Sequence, residues 1–402
     1  MHQQLTSGTR TQSHRGLIVL LGIMCSLGPM TVDMYLPAMP QIARDFATSE
    51  AAVQTTLTGS LLGMAVGMLL LGPLSDAVGR RWPLIAGLSV HAVFSVLSAL
   101  APDIGSLIVF RALQGAGSAA APAIAVAIVR DISAGRSSSV RYSSILLIAT
   151  GAPIVAPLIG SGMLLWTDWH GIFIVQGIMS AALVLTAIFA LPETQPIRRS
   201  LRETNFVIGL KSVVRDSVFV GSALSQSAMM AASFCYISGL SFVAQDWYGA
   251  SQQMYGLILS GGAVTMLFMN RLSPLLLVRF TPHKVALVGL AGAMTSAALM
   301  MIAAPTIGLA GVAAFSWLCI GFQQLVTPNN QAMGLRDHPA HAGVASALMG
   351  AASLTAAAIA SPLIGLVGVD NGFTMAAGMF CFYGLSVIAS TLVIGMRKEL
   401  VR

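Results

Sequence analysis

Apolar residues in this chain come in long blocks rather than in alternating stripes. Twelve blocks of roughly 20 residues can be drawn, each long enough as an α-helix to cross a hydrocarbon layer of about 30 Å. They cover residues 16–38, 52–72, 82–101, 105–129, 142–164, 169–191, 217–241, 252–278, 284–303, 306–330, 341–368 and 372–396. Polar punctuation between them is short except at 192–216, which contains "LPETQPIRRSLRETN". The pattern predicts an all-α membrane protein of twelve transmembrane helices. It divides into a six-helix bundle at 1–191, a linker at 192–216 and a second six-helix bundle at 217–402.

The halves repeat one another. "VRDISAGRSSSVRYSSILLIATGAPIVAPLIG" begins at Val129, and "LRDHPAHAGVASALMGAASLTAAAIASPLIG" begins at Leu335. Both open on Arg-Asp and close on Pro-Leu-Ile-Gly, at offsets of 206 and 205 residues. Two matches at one separation and one topological position point to a duplicated six-helix unit, hence two pseudo-symmetric bundles of a rocking transporter.

Composition agrees with the blocks. The chain is 56% hydrophobic and 9% charged, against about a quarter charged in soluble domains. The basic residues orient it. Arg80 and Arg81, Arg130, Arg136 and Arg141, Arg198, Arg199, Arg202, Lys211 and Arg215, Arg271, Arg279 and Lys284, Arg336, Arg397, Lys398 and Arg402 fall on one side with Arg10 and Arg15. Of the 21 Lys and Arg, Arg44 lies on the other face and Arg111 inside a span. Positive loops face the cytoplasm, so both termini are expected there. The net charge of +7 then reads as topology facing acidic lipid, not as nucleic-acid binding. The first sixteen residues are polar and no small-residue cleavage site follows, so the first span is expected to remain as an uncleaved insertion signal.

Cys25, Cys235, Cys319 and Cys381 all fall in spans, too far apart for a metal motif, and read as small apolar fillers. No metal, cofactor or nucleophile–base constellation is expected. No G-x-x-x-x-G-K-(S/T) occurs, so transport would draw on an ion gradient or on the substrate's own.

Four stretches carry specific chemistry. The second connection reads "GPLSDAVGRR", residues 72–81, where Gly72 and Gly79 would allow close approach and a tight turn and Asp76 precedes Arg80 and Arg81. The fourth span holds "RALQGAG" from Arg111, and an arginine inside a span is a functional residue by default. The repeat offset puts Trp317 at the matching place, so the fold of the unit does not need the charge. The fifth span reads "GAPIVAPLIGSG" from Gly151, with Pro153, Pro157 and Gly160 suited to bending and close packing. The first span continues into "TVDMYLPAMP", which places Asp33 among apolar residues.

These stretches resemble the major facilitator superfamily. "GPLSDAVGRR" is similar to its signature G-x-L-(A/S)-D-x-x-G-R-(K/R), and "RALQGAG" to its R-x-x-Q-G. "GAPIVAPLIGSG" resembles the antiporter pattern G-x-x-x-G-P-x-x-G-G, with Ala156 and Ser161 in place of two glycines. "DMYLPAMP" resembles the first helix of drug:proton antiporters, most closely the bicyclomycin- and chloramphenicol-resistance group. The resemblance covers the N-terminal half by motif and the rest by helix count and repeat. It implies bundles around a central cavity, alternating access, and export of lipophilic or amphipathic small molecules against protons across the bacterial inner membrane by a monomer. It also implies a conformational latch of Gly72, Asp76, Gly79, Arg80, Arg81 and Arg130.

Asp33 lies eighteen residues beyond Arg15 and Arg111 nineteen before Arg130. Both therefore reach roughly 27–29 Å above the basic boundary. An Asp–Arg pair between the first and fourth helices is expected, either a fixed ion pair or a switching proton site. Desolvation favours a protonated acid and a nearby guanidinium the charged one. Tyr35, Gln114, Gln226, Tyr236, Gln323 and Asn330 are candidates to line the cavity, though more than half are expected to be helix–helix hydrogen bonds. His91 reads as a satisfied core histidine before it reads as a proton relay. An importer or a narrow-substrate metabolite exporter on the same fold stays open, because of the departures in the fifth span. A membrane enzyme or receptor is disfavoured, since no domain outside the membrane is expected to house it.

Overall fold

The computed structural model describes residues 2–133, 136–195, 206–368 and 371–400, with side chains for 16–133, 141–195, 209–339, 341–368 and 371–392. Arg198, Arg199, Arg202 and Asp370 lie outside the described residues. The elements are α1 (His2–Asp33), α2 (Met39–Asp45), α3 (Glu50–Val78), α4 (Arg81–Ala99), α5 (Ile104–Ser118), α6 (Ala120–Ile132), α7 (Arg136–Met163) and α8 (Trp169–Ala190). Then follow α9 (Phe206–Val214), α10 (Ser217–Phe242), α11 (Gln252–Leu277), α12 (Pro282–Ile307), α13 (Leu309–Gln323), α14 (Thr327–Leu335), α15 (Ala342–Val367) and α16 (Phe373–Leu400). Eleven helices among the described residues are long and apolar enough to cross a membrane. The twelfth crossing, α11, is equally long but is diluted by Gln252, Gln253, Asn270 and Arg271. The architecture is twelve crossings in two six-helix bundles, with α9 an extra short helix in the linker.

Three crossings are broken, and each break has a local cause or consequence. In the first, α1 stops at Asp33 and a 3-10 turn over Leu36–Ala38 leads into α2. Pro37 has no N–H to return to Asp33 O, and Pro40 has none for Leu36 O. The Leu36 carbonyl instead receives the Met39 N–H and the Ser241 hydroxyl, the latter at 2.7 Å. Irregular backbone at membrane depth survives only where protein covers it, and here the second bundle does so. The fourth crossing breaks at Ala119 and the tenth between Gln323 and Thr327, where the uniform runs of the sequence had predicted single helices.

Within the first bundle, α3 meets α5 through Gly59, Gly63 and Gly67, spaced four apart on one face. A Cβ on Gly63 would stand 1.9 Å from Ala112 O. With no side chains between them the backbones touch, which is how membrane helices gain dispersion contact without a hydrophobic driving force. The largest buried cluster runs through both bundles, from Tyr35, Leu57 and Phe173 to Tyr236, Leu290 and Tyr383.

The bundles are tied together at the end away from the basic loops. Thr58 Oγ1 donates to Ala358 O at 2.6 Å, Gly365 N–H to Gln54 Oε1 at 3.0 Å, and Ser260 Oγ to Ile154 O at 2.7 Å. Gln245 Nε2 donates to Pro37 O at 3.2 Å, Gln253 Nε2 to Ser161 O at 3.1 Å, and Arg44 pairs with Asp246 at 3.2 Å. At the basic end, a cavity of about 310 Å³ lies between α3, α6 and the start of α15, lined in part by Gly72, Asp76, Arg80, Arg130, His341 and Ser346.

Candidate functional site

Asp33 occupies the last helical position of α1, beside the proline-induced break. Its side chain is half-buried. Among the described residues no hydrogen bond or ion pair reaches its carboxylate. The expected pair with Arg111 is therefore not formed, and equal depth on neighbouring helices did not bring the two groups together.

Arg111, on α5, is fully buried. Its Nη1 donates to Thr31 O at 3.1 Å and to Gln114 Oε1 at 2.7 Å. The guanidinium carbon stands 4.6 Å from the centre of the Tyr35 ring and 5.5 Å from that of Phe173. Two aromatic faces thus take the place of a carboxylate, a recognised way to hold a desolvated cation. Nε and Nη2 have no partner, so the guanidinium keeps donors in reserve.

A continuous polar chain extends from this arginine. Gln114 Nε2 donates to Ser95 Oγ at 2.7 Å and to Gln176 Oε1 at 2.9 Å. His91 is bonded on both ring nitrogens, to Thr31 Oγ1 at 2.7 Å and Ser180 Oγ at 2.6 Å. It is a satisfied core residue that ties α4 to α1 and α8. Gln176 belongs to this chain and escaped the sequence reading, although a glutamine within the sixth span was a visible signal.

The remaining cavity candidates separate into two kinds. Tyr35 exchanges a 2.6 Å hydrogen bond with Thr56. Gln323 Oε1 accepts from Ser233 at 2.6 Å and Asn330 Nδ2 donates to Ser225 Oγ at 2.9 Å. These three bonds join helices. Gln226 is half-buried with an unpartnered Oε1, and the buried Tyr236 Oη also lacks a partner. At the position repeating Arg111, Trp317 donates its indole N–H to Ile258 O at 2.7 Å.

Within α7, Gly160 presses on the break after Asp33, since a Cβ there would lie 2.1 Å from Met34 O. The Pro157 carbonyl lies close to Gly256 of α11, where a Cβ would meet it at 3.0 Å. Pro153 is inside the same helix. Gly151 has nothing within 4 Å of where a Cβ would stand, so no close approach explains it.

The stretch from Gly72 to Val78 is helical, not a loop, and the turn is confined to Gly79 and Arg80. Gly72 is unconstrained by its neighbours. Gly79 has φ +104°, and a Cβ there would strike Glu193 Oε2 at 2.6 Å. Arg80 pairs with Asp76 at 2.5 Å and, through Nε, with Asp131 Oδ2 at 3.0 Å. Glu193 accepts the backbone N–H groups of Arg80 at 2.9 Å and Arg81 at 3.2 Å, while Arg81 Nη2 donates to Ile188 O. Burial pushes the Glu193 carboxyl up, but the N–H groups of Gln195, Arg80, Arg81 and Thr194 outweigh it and hold the group below the usual range. Arg130 stands in the cavity wall beside this cluster. Asp131 and Glu193 are its unforeseen members. The repeated Arg-Asp hinted at the first; the second lay inside a segment read only as linker.

The chain is similar to curated and solved transporters. It is 35% identical to the MFS-type transporter YdgK of Bacillus subtilis, over 95% of this chain and 96% of that one. It is 29% identical to the bicyclomycin resistance protein homolog of Haemophilus influenzae (93% and 94%) and 30% identical to a chloramphenicol resistance protein of Pseudomonas aeruginosa (71% and 68%). In three dimensions it matches an inward-facing bacterial homolog of the human lysosomal transporter Spinster at TM-score 0.75, with 14% identity over 95% and 96% of the chains. It also matches the xylose transporter XylE from E. coli at 0.71, with 15% identity over 94% and 97%. The family model for the Major Facilitator Superfamily fits residues 19–362, and the chain belongs to that superfamily as a multi-pass membrane transporter of small molecules.

Proposed function

We propose that this transporter exports lipophilic or amphipathic small molecules, of the drug class, in exchange for protons. The observation that carries this reading is Asp33, a half-buried acid at a helix break with no ion pair among the described residues. Arg111 is occupied by Thr31, Gln114 and two aromatic rings, with two N–H groups in reserve. Movement of the guanidinium between these partners and Asp33 would switch whether the carboxylate needs a proton. The drug class is supported by the relatives named for bicyclomycin and chloramphenicol resistance.

The working unit is a monomer of two bundles, 1–191 and 217–402, joined by 192–216. It lies in the bacterial inner membrane with both termini cytoplasmic, as the one-sided arginines favour. Joined far ends and a cavity at the basic end fit an inward-facing state. Asp76, Gly79, Arg80, Arg81 and Arg130 act there as a latch that makes and breaks contacts as the bundles rock. Proton-driven uptake of a drug into inverted vesicles tests the reading, and Asp33→Asn should abolish it while leaving the protein in the membrane. Unchanged transport by that variant would sink the proton role, and flux in the opposite sense would make the protein an importer.

A further inference from the structure

Pro-Leu-Ile-Gly closes the duplicated stretch in each half, and around it each bundle is bonded by the other. On α15 it falls at Pro362–Gly365, inside the helix. Pro362 has no N–H to return to Ala358 O. That carbonyl accepts Thr58 Oγ1 from α3 of the first bundle at 2.6 Å. Further along, Gly365 N–H donates to Gln54 Oε1 at 3.0 Å, and a Cβ on Gly365 would stand 2.8 Å from Ala51 N. Ala51, Gln54 and Thr58 share one face of α3 by their spacing, as Ala358, Ser361 and Gly365 share one face of α15.

On α7 the matching stretch is Pro157–Gly160. There Ser260 Oγ of α11 donates to Ile154 O at 2.7 Å and Gln253 Nε2 to Ser161 O at 3.1 Å. The two seams differ in how their side-chain donors are served. Beside α11, the Ser161 hydroxyl is itself bonded, to Leu158 O at 3.2 Å. Beside α3, Gln54 and Ser361 are fully buried, yet Gln54 Nε2 and Ser361 Oγ have no partner among the described residues. A buried donor left unmade carries the full cost of its lost water, and each such group calls for a cause. Both lie at the end where an outward-open state would admit water, so opening satisfies them. The same movement breaks the Thr58 and Gly365 bonds. Opposed terms thus act within one seam.

We propose that the α3–α15 seam is a poised outer gate. Thr58 and Gln54 close it against the Pro362 stretch, and the unmade donors of Gln54 and Ser361 hold the closed state near the open one in free energy. These are positioning residues, which set the populations of the two states. Neither the identity of the substrate nor the direction of flux enters; only the inward-facing state proposed above does.

The test uses the full-length protein in lipid nanodiscs, with spin labels at Leu100→Cys and Ile307→Cys, exposed positions at the outer ends of the two bundles. Cys381→Ser removes the exposed native thiol, and the other three cysteines are buried. Distances between the labels give the closed and open populations. Ser361→Ala removes an unmade donor and breaks no bond, so the open-to-closed ratio should fall roughly threefold or more. Thr58→Val removes a bond that is made and should raise the ratio by a similar factor. Thr58→Ser should keep the wild-type ratio, which separates loss of the hydroxyl from misfolding. Side chains that served packing alone would not give shifts of opposite sign. Shifts of one sign in Ser361→Ala and Thr58→Val, or an unmoved ratio in Ser361→Ala, overturn the gate. A wild type with its outer ends always apart overturns the inward-facing reading, and the gate with it.

Discussion

The Arg111 guanidinium lies 4.6 Å from the centre of the Tyr35 ring, while Asp33, two residues before that tyrosine, has no ion pair among the described residues. Charge compensation in this bundle is thus split: the cation rests on aromatic faces and a carbonyl, and among the described residues no cation reaches the acid. Arg111→Lys separates charge from shape. Lysine keeps the charge but loses the planar guanidinium that stacks on Tyr35 and the two N–H groups held in reserve. Transport should fall by roughly tenfold or more, the equivalent of one charged hydrogen bond. Vesicle uptake normalised to protein level is the measurement, and full activity of the lysine variant would show that charge alone suffices.

Glycines of the fifth crossing should divide by what their Cβ would meet. Gly160→Ala forces a methyl onto Met34 O, beside Asp33, and should cost about 1–3 kcal/mol as the helices part. Gly151→Ala meets nothing within 4 Å and should be neutral or slightly stabilising. Thermal unfolding in detergent reads both, and equal effects would contradict the packing described for α7.

A similar contrast holds at the latch. Gly79 occupies φ +104° and ψ 165°, a region open essentially to glycine, where another residue costs about 1–3 kcal/mol. Gly79→Ala should therefore lower the melting temperature and loosen the Glu193 contact. Gly72→Ala, inside a helix with open space around it, should be tolerated. The comparison needs only the two melting curves, and a harmless Gly79→Ala would refute the strain.

Acid should release the latch through Glu193. Its carboxyl titrates below the ordinary 4.5 in the folded chain. A depressed carboxylate stabilises the fold fully above the unfolded value, and that contribution is lost as pH falls through the folded one. The difference in melting temperature between wild type and Glu193→Gln should hold constant near neutrality and shrink only below pH 4.5. A difference that grows with acid would reverse the sign and exclude the N–H contacts as the cause.

Much of the fold was legible because the bilayer imposes a length on every apolar block. The twelve crossings were placed to within about seven residues at their ends, and the widest error in kind was α9, nine residues inside a segment read as linker. The site was less legible. Asp33 and Arg111 were visible as charges in apolar runs, and His91 was read correctly as a core residue. Their partners were not visible, because hydrogen bonds between helices depend on rotation about each axis. Depth, which can be counted along the chain, does not give rotation.

The sequence by itself determined the number of crossings, the duplication, the one-sided arginines, the family and the identity of the two membrane-embedded charges. These follow from local composition and from motifs that any reader of the chain can count. Only the tertiary structure decided that Arg111 rests on Tyr35 and Phe173, that Gln114 bonds Gln176, and that Glu193 caps the turn at Gly79. Each of those is set by how helices far apart in sequence rotate and close upon glycines and proline breaks, a balance of packing that no single segment contains.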